Sequence, residues 1–266
     1  MPFGEYETLS TSVGDHADRV ATVAIDRPDA RNALNEQVRR ELKDVLASIE
    51  DDEEIRVVVL TGTDAANAFV AGADVGELRD RDLLEQREVS ERPRVYETVN
   101  ELSVPVIARI NGHALGGGCE LAQACDVRIA VSDAKLGQPE INLGIIPGGG
   151  GTQRLPRLVG EGQAMKLILS GELIDANEAR EIGLVEEVCE ADSLDDRVYE
   201  LAGTMAEKSP IALELAKQAV QASSRMDLEA GIEYEAELFV QLFATEDKNE
   251  GINAFLDGRT PKFTGQ

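Results

Sequence analysis

Long apolar runs are missing from this chain. Nowhere in its 266 residues do about 18 apolar residues follow one another, the length a membrane-spanning helix needs. Met1 to Asp15 is acidic and polar, without the basic start and apolar centre of a secretory leader, so a cytoplasmic protein is expected. Cysteine is scarce: Cys119, Cys125 and Cys189 form no CxxC pair and leave one odd, which fits a reduced compartment and small buried side chains. Histidine is limited to His16 and His113, and no His/Cys cluster stands at ligand spacing, so a metal centre is not expected. No GxSxG elbow is present, which removes the usual serine hydrolase. Lysine is rare too: of 26 basic residues seven are lysine and nineteen arginine, against 51 acids.

The resulting net charge of −25 repels nucleic acid, whose binding rests on cations that neutralise phosphates. A hydrophobic content of 42% with clear periodic segments still argues for a folded domain. Both facts fit a protein of a high-salt cytoplasm. At about 1 M salt the Debye length shrinks to about 3 Å, and self-repulsion is screened.

Val20 to Ile25 alternates and is rich in β-branched residues, which predicts a strand. Asn32 offers an N-cap for a helix whose apolar face carries Leu34, Val38, Leu42, Val45, Leu46 and Ile49. Arg56 to Thr61, Pro105 to Ile110 and Val127 to Val131 read as buried strands. Strands alternating with helices predict an α/β fold with largely parallel pairing. Beyond about residue 160 only helices are expected: 164–169, 175–182, 193–209, one opened by Pro210, 228–243 and 248–256. The charged stretch from Asp74 to Arg94 reads as a solvated helix or a cover over a site.

Two glycine clusters with following glutamates carry the chemistry. The first runs from Gly112 through Gly116-Gly117-Gly118-Cys119-Glu120. The second is Gly137-Gln138-Pro139-Glu140, then Gly148 to Gly151. A glycine turn that opens a helix exposes backbone amides at the positive end of the helix dipole, where a phosphate or an oxyanion can sit. Cys119-Glu120 stands where a phosphate loop would need Lys-Ser/Thr, and no GxGxxG occurs in either cluster. Pro139 predicts an irregular extended turn under Glu140. Two carboxylates flanking an anion-stabilising turn suit proton transfer on an activated carbonyl compound. His113 reads as a packing residue.

These motifs resemble the crotonase (enoyl-CoA hydratase/isomerase) superfamily along almost the whole chain. The matching segments are Asp26 to Asn35, Phe69 to Asp74, Asn111 to Glu120, Gly137 to Glu140, Gly148 to Leu155, and Phe243 to Phe255. The resemblance implies a spiral of ββα units over residues 1–200, with a helical region at 201–266 for oligomerisation and active-site cover. It also implies homotrimers or hexamers that are dimers of trimers. It assigns the oxyanion-hole amides to Ala73 and Gly117 and the catalytic pair to Glu120 and Glu140. The implied reaction is hydration of a 2-enoyl-CoA to 3-hydroxyacyl-CoA, as in fatty-acid oxidation. Coenzyme A enters as part of the substrate, and no separate cofactor is implied. Substrate contacts are expected from Arg31, Ala71, Gly72, Asp74, Gly116, Pro139, Gly148 and Arg259, with Arg79 a further candidate. Many relatives place a lysine where this chain has Gly76, so the cations that meet the CoA phosphates must lie elsewhere. The alternatives are an enoyl-CoA isomerase that uses Glu140 alone, or a crotonase-fold subunit without catalysis.

Overall fold

A computed structural model describes residues 3–266 of the chain. The first strands, β1 (Leu9–Val13) and β2 (Val20–Ile25), form an antiparallel hairpin. Helix α1 (Glu36–Glu50) follows and buries Val38, Leu42, Val45, Leu46 and Ile49, three and four residues apart. Next come β3 (Val57–Gly62) and β4 (Ala68–Val70), then α2 (Val75–Asp80), α3 (Leu83–Val89) and α4 (Val95–Glu101). The pattern repeats with β5 (Val106–Ile110), β6 (His113–Leu115) and α5 (Gly117–Ala124). It repeats again with β7 (Val127–Val131), β8 (Lys135–Gly137), α6 (Gly151–Val159) and α7 (Glu161–Ser170).

Each repeat sends its first strand to one sheet and its second to another. The larger sheet has the order β1-β2-β3-β5-β7-β10, where β10 is Glu187–Cys189, and every pair except the first is parallel. The smaller sheet runs β4-β6-β8-β9, with β9 (Leu173–Asp175) antiparallel at its edge. This is the ββα spiral that the motifs imply. Strand β3 reads Val-Val-Val-Leu-Thr-Gly and is buried throughout, as a strand covered on both faces must be.

Two local expectations are corrected. The region beyond residue 160 is not helical only, because the short strands β9 and β10 complete the two sheets. Both are three residues long, too short for a period-2 pattern to stand out. Asn32 does not cap α1. Its side chain accepts from Arg27 N at 2.9 Å and donates to Ala68 O at 3.0 Å, and its backbone is left-handed at φ 59. The cap is Asn35, whose side chain accepts from Val38 N at 2.9 Å. Asn32 thus ties the loop after β2 to β4, the strand that leads into the site.

The last helices are α8 (Ala176–Glu181), α9 (Leu194–Ala206), α10 (Pro210–Ala222), α11 (Leu228–Gln241) and α12 (Glu246–Asp257). Helix α9 packs on the larger sheet with Leu194, Val198, Tyr199 and Ala202 buried. Helices α10 to α12 bury little and leave Val220, Leu228, Ile232, Phe239, Val240, Phe255 and Leu256 exposed, as is Phe243 in the 3-10 turn between α11 and α12. Among the described residues no helix is long and apolar enough to cross a membrane.

Candidate active site

The site lies where the parallel strands β4, β6 and β8 end and their connections turn back. Strand β6 leads through Gly116, with φ 50, straight into α5, all eight residues of which are buried. A Cβ at Gly118 would lie 2.0 Å from Val70 O, so only glycine lets α5 settle this closely on β4. A Cβ at Gly117 would meet Ala73 N at 3.4 Å and Tyr96 Oη at 3.1 Å, which puts the Gly117 turn against the loop after β4. That loop is held by α1's leading segment: Leu34 N donates to Gly72 O at 2.8 Å and Asp74 N to Leu34 O at 3.0 Å. The Ala73 amide between them finds no acceptor among the described residues, and neither does the Gly117 amide. Two adjacent free donors, one at a helix N-terminus, make a site for developing negative charge.

Glu120 sits one turn into α5 and is buried. Its Oε1 accepts from Gly149 N and Gly151 N, both at 2.7 Å. Burial raises its pKa above the usual carboxylate range, although the two amides and the neighbouring Arg94 and Arg154 act in the opposite direction. Glu140 approaches from the other side of Gly116, where an added Cβ would lie 2.9 Å from its Oε1. Its turn is a 3-10 helix over Pro139–Leu143 rather than the expected extended segment, because Pro139 opens it and Gly144 at φ 74 closes it. Burial, with the charge of Glu120 as a lesser contribution, pushes the Glu140 carboxyl up to about 7. With its amide turned to satisfy its neighbours, Gln138 donates to both Glu140 oxygens at 3.0 and 3.1 Å and accepts from Gln123 Nε2 at 2.9 Å.

These groups line one cavity of about 710 Å³. Of the residues expected from sequence, Ala71, Gly72, Ala73, Gly116, Gly117, Glu120, Pro139, Glu140 and Gly148 stand on its wall. Arg31, Asp74 and Arg259 do not. Arg31 is exposed and offers its backbone carbonyl to Ala71 N at 3.1 Å. Asp74 caps α2 and pairs with Arg27 at 3.3 Å. Arg259 binds Glu250 at the exposed end of α12, and Arg79 likewise lies on the surface against Asp80.

Sequence reasoning missed the support for Glu120. The Gly149 and Gly151 amides were marked only by their glycines. A Cβ at Gly149 would fall 2.4 Å from the Tyr96 ring and 2.7 Å from Glu120 Oε2, which is the physical reason for that residue type. Arg154 donates to Gly149 O at 2.9 Å, and Arg94 donates to Gly148 O. Arg94 carried no sequence signal, since it comes to the loop from 54 positions away, whereas Arg154 lies within the Gly148 to Leu155 motif but was not singled out there. Tyr96 lies buried between Gly117 and Gly149, and burial followed by the charge of Glu120 raises its pKa, so it stays neutral.

A crotonase-type spiral with one glutamate on α5 and another on the turn after β8 defines the class of protein. The family described as enoyl-CoA hydratase/isomerase matches residues 15–266, and the chain belongs to it. It is 45% identical to the 2,3-dehydroadipyl-CoA hydratase of Escherichia coli over 97% of this chain and 100% of that protein. It is 42% identical to the short-chain-enoyl-CoA hydratase of Clostridium acetobutylicum, covering 94% of this chain and 96% of the relative. The crystal structure of an enoyl-CoA hydratase from Bacillus anthracis superposes with a TM-score of 0.92 at 40% identity, covering 98% and 100% of the two chains.

Proposed function

We propose that the protein is an enoyl-CoA hydratase, a hydro-lyase that adds water across the C2=C3 bond of a 2-trans-enoyl-CoA. The observation that carries this reading is a buried glutamate and a half-buried one converging beside two unpartnered amides in one cavity. The thioester oxygen sits between Ala73 N and Gly117 N, which bind it more tightly as it gains enolate charge. Loss of one such donor costs about 2.7–4 kcal/mol of transition-state stabilisation. Glu120, fixed through Oε1 by Gly149 and Gly151, keeps Oε2 for the attacking water and takes up its proton as oxygen bonds C3. Glu140, protonated near neutral pH, delivers a proton to C2. The proton count closes, because one carboxyl gains what the other gives up.

The apolar side of the cavity, with Val75, Leu78, Val89 and Ile146, supports an acyl chain as the guest. Family resemblance and the exposed apolar faces of α10 to α12 support a homotrimer or a dimer of trimers, with residues 201–266 as the oligomerising region. The acidic composition supports a cytoplasm of high salt. We read coenzyme A as part of the substrate and assign no separate cofactor.

The test is crotonyl-CoA with the purified protein in concentrated KCl, following loss of the enoyl-thioester absorbance. Formation of 3-hydroxybutyryl-CoA supports the hydratase. Conversion of a 3-enoyl-CoA without uptake of solvent oxygen would make it an isomerase, and inactivity toward both would favour a non-catalytic subunit.

A further inference from the structure

The cations of this cavity stand against the composition of the chain. With 51 acids to 26 bases, a wall drawn at random would be negative. Apart from the two glutamates of the reaction, every charged side chain on this wall is an arginine: Arg39, Arg81 and Arg94. Their counter-ions do not reach the cavity and are too few. Arg39 and Arg81 both bind the same oxygen, Glu77 Oε2, each at 2.7 Å. The other oxygen of Glu77 accepts from the Glu36 amide at 2.7 Å, so one carboxylate serves two guanidiniums and a backbone amide. Glu97 likewise serves both Arg94, at 2.6 Å, and Arg92, at 3.5 Å. Four guanidiniums therefore share two carboxylates, and neither Glu77 nor Glu97 lines the cavity. Arg39 and Arg81 keep 19% and 14% of their side chains accessible. Half-buried surplus positive charge of this kind is costly unless an anion completes it.

The position of the arginines selects the anion. A substrate chain that starts with its thioester at Ala73 and Gly117 passes Glu120 and Glu140 at C2 and C3. Arg94 donates to the carbonyl of Gly148, next to the amide that holds Glu120. Val75, Leu78 and Val89 share the wall with Arg81 and suit a run of methylenes, and Gln86 and Ser90 add polar groups beside them. We propose that this cavity takes 2-enoyl-CoA substrates whose acyl chain ends in a carboxylate, received by Arg81 on the wall that carries Val75, Leu78 and Val89. A guanidinium offers a fork of donors that matches a carboxylate in two parallel bonds.

This inference rests on the hydratase reading, and its test separates the two. Matched 2-enoyl-CoA pairs of increasing length, one ending in methyl and one in carboxylate, are compared by kcat/KM in wild type, Arg81→Leu and Glu77→Gln. Wild type is expected to favour the carboxylate at one chain length by about tenfold or more, the discrimination that one charged hydrogen bond supplies. Arg81→Leu should lower that ratio to near one, and Glu77→Gln, which frees both arginines, should raise it. Glu77→Gln decides the matter if Arg81→Leu does not fold. Preference for the methyl end at every length, or a ratio that neither variant moves, overturns the proposal and leaves the hydratase intact. The same pairs are assayed as pantetheine thioesters. If Arg81→Leu weakens both CoA substrates equally but neither pantetheine thioester, the arginines serve the CoA phosphates and the proposal also fails. No turnover of any 2-enoyl thioester by wild type would instead sink the hydratase reading itself.

Discussion

The two walls of the cavity are built on opposite terms. One is backbone: the turns after β4, β6 and β8, with glycine wherever a Cβ would strike a carbonyl, a ring or a carboxylate. The other is side chain: α2 and α3, short helices with no buried residue, capped by Asp74 and Asp82 and laced with surface ion pairs. The first wall holds the atoms that must not move relative to the reacting bond, and the close-packed sheets fix them. In the proposed reading the second meets only the tail of the guest, which ties chemistry to the rigid wall and selectivity to the adaptable one.

The sharpest way to break this contrast is to remove a carboxylate from the rigid wall. Glu120→Gln and Glu140→Gln should each lower kcat on crotonyl-CoA by about 10²–10⁴-fold, with a native circular dichroism spectrum. An effect of less than tenfold in either would mean the two do not act as a pair. A smaller but general effect is expected from Gly118→Ala. Its Cβ would meet Val70 O at 2.0 Å, so α5 must lift from β4, at a cost toward the upper end of about 1–3 kcal/mol in denaturant unfolding. Activity should fall with it, since Gly117 and Glu120 ride on the same helix.

The third prediction concerns pH. With the Glu140 carboxyl at about 7, kcat/KM for hydration should fall by up to about tenfold per unit as pH rises above 7, and because the reaction takes up no net proton, kcat/KM for dehydration of 3-hydroxyacyl-CoA should fall in parallel. Stability follows the same group. The folded protein holds this proton to higher pH than the unfolded chain, whose carboxyl titrates near 4.5. Stability therefore declines as pH rises from about 4.5 to about 7 and is level beyond. Glu140→Gln should remove that decline, and thermal unfolding at pH 5 and pH 8 checks it. The smallest effect belongs to the adaptable wall. Leu84 is 66% exposed on α3, and Leu84→Ala should change stability by less than about 0.5 kcal/mol and leave crotonyl-CoA turnover near wild type.

Much of the rigid wall was legible in the chain. Glycines at 116–118 before Cys119-Glu120 announced a helix start with free amides, and the glutamates stood out beside them. What pattern could not show was how Glu120 is held. Gly149 and Gly151 lie about thirty positions away and reach it only because α6 folds back over α5. The arginine wall was hidden for a similar reason. Arg39, Arg81 and Arg94 sit in three different segments, and in an acidic chain each reads as an ordinary solvated side chain. Asn32 was misread because a side chain that bonds a distant strand leaves the same local signature as a cap.

By itself, the sequence determined the alternation of strands and helices, the glycine turns and the residue types available for proton transfer. These depend on local periodicity and on backbone freedom, which neighbours along the chain decide. Only the tertiary structure decided which amides face Glu120, why burial raises Glu140, and where two arginines share one carboxylate. Those properties come from desolvation and from distances across separate elements, and neither is encoded in spacing along the chain.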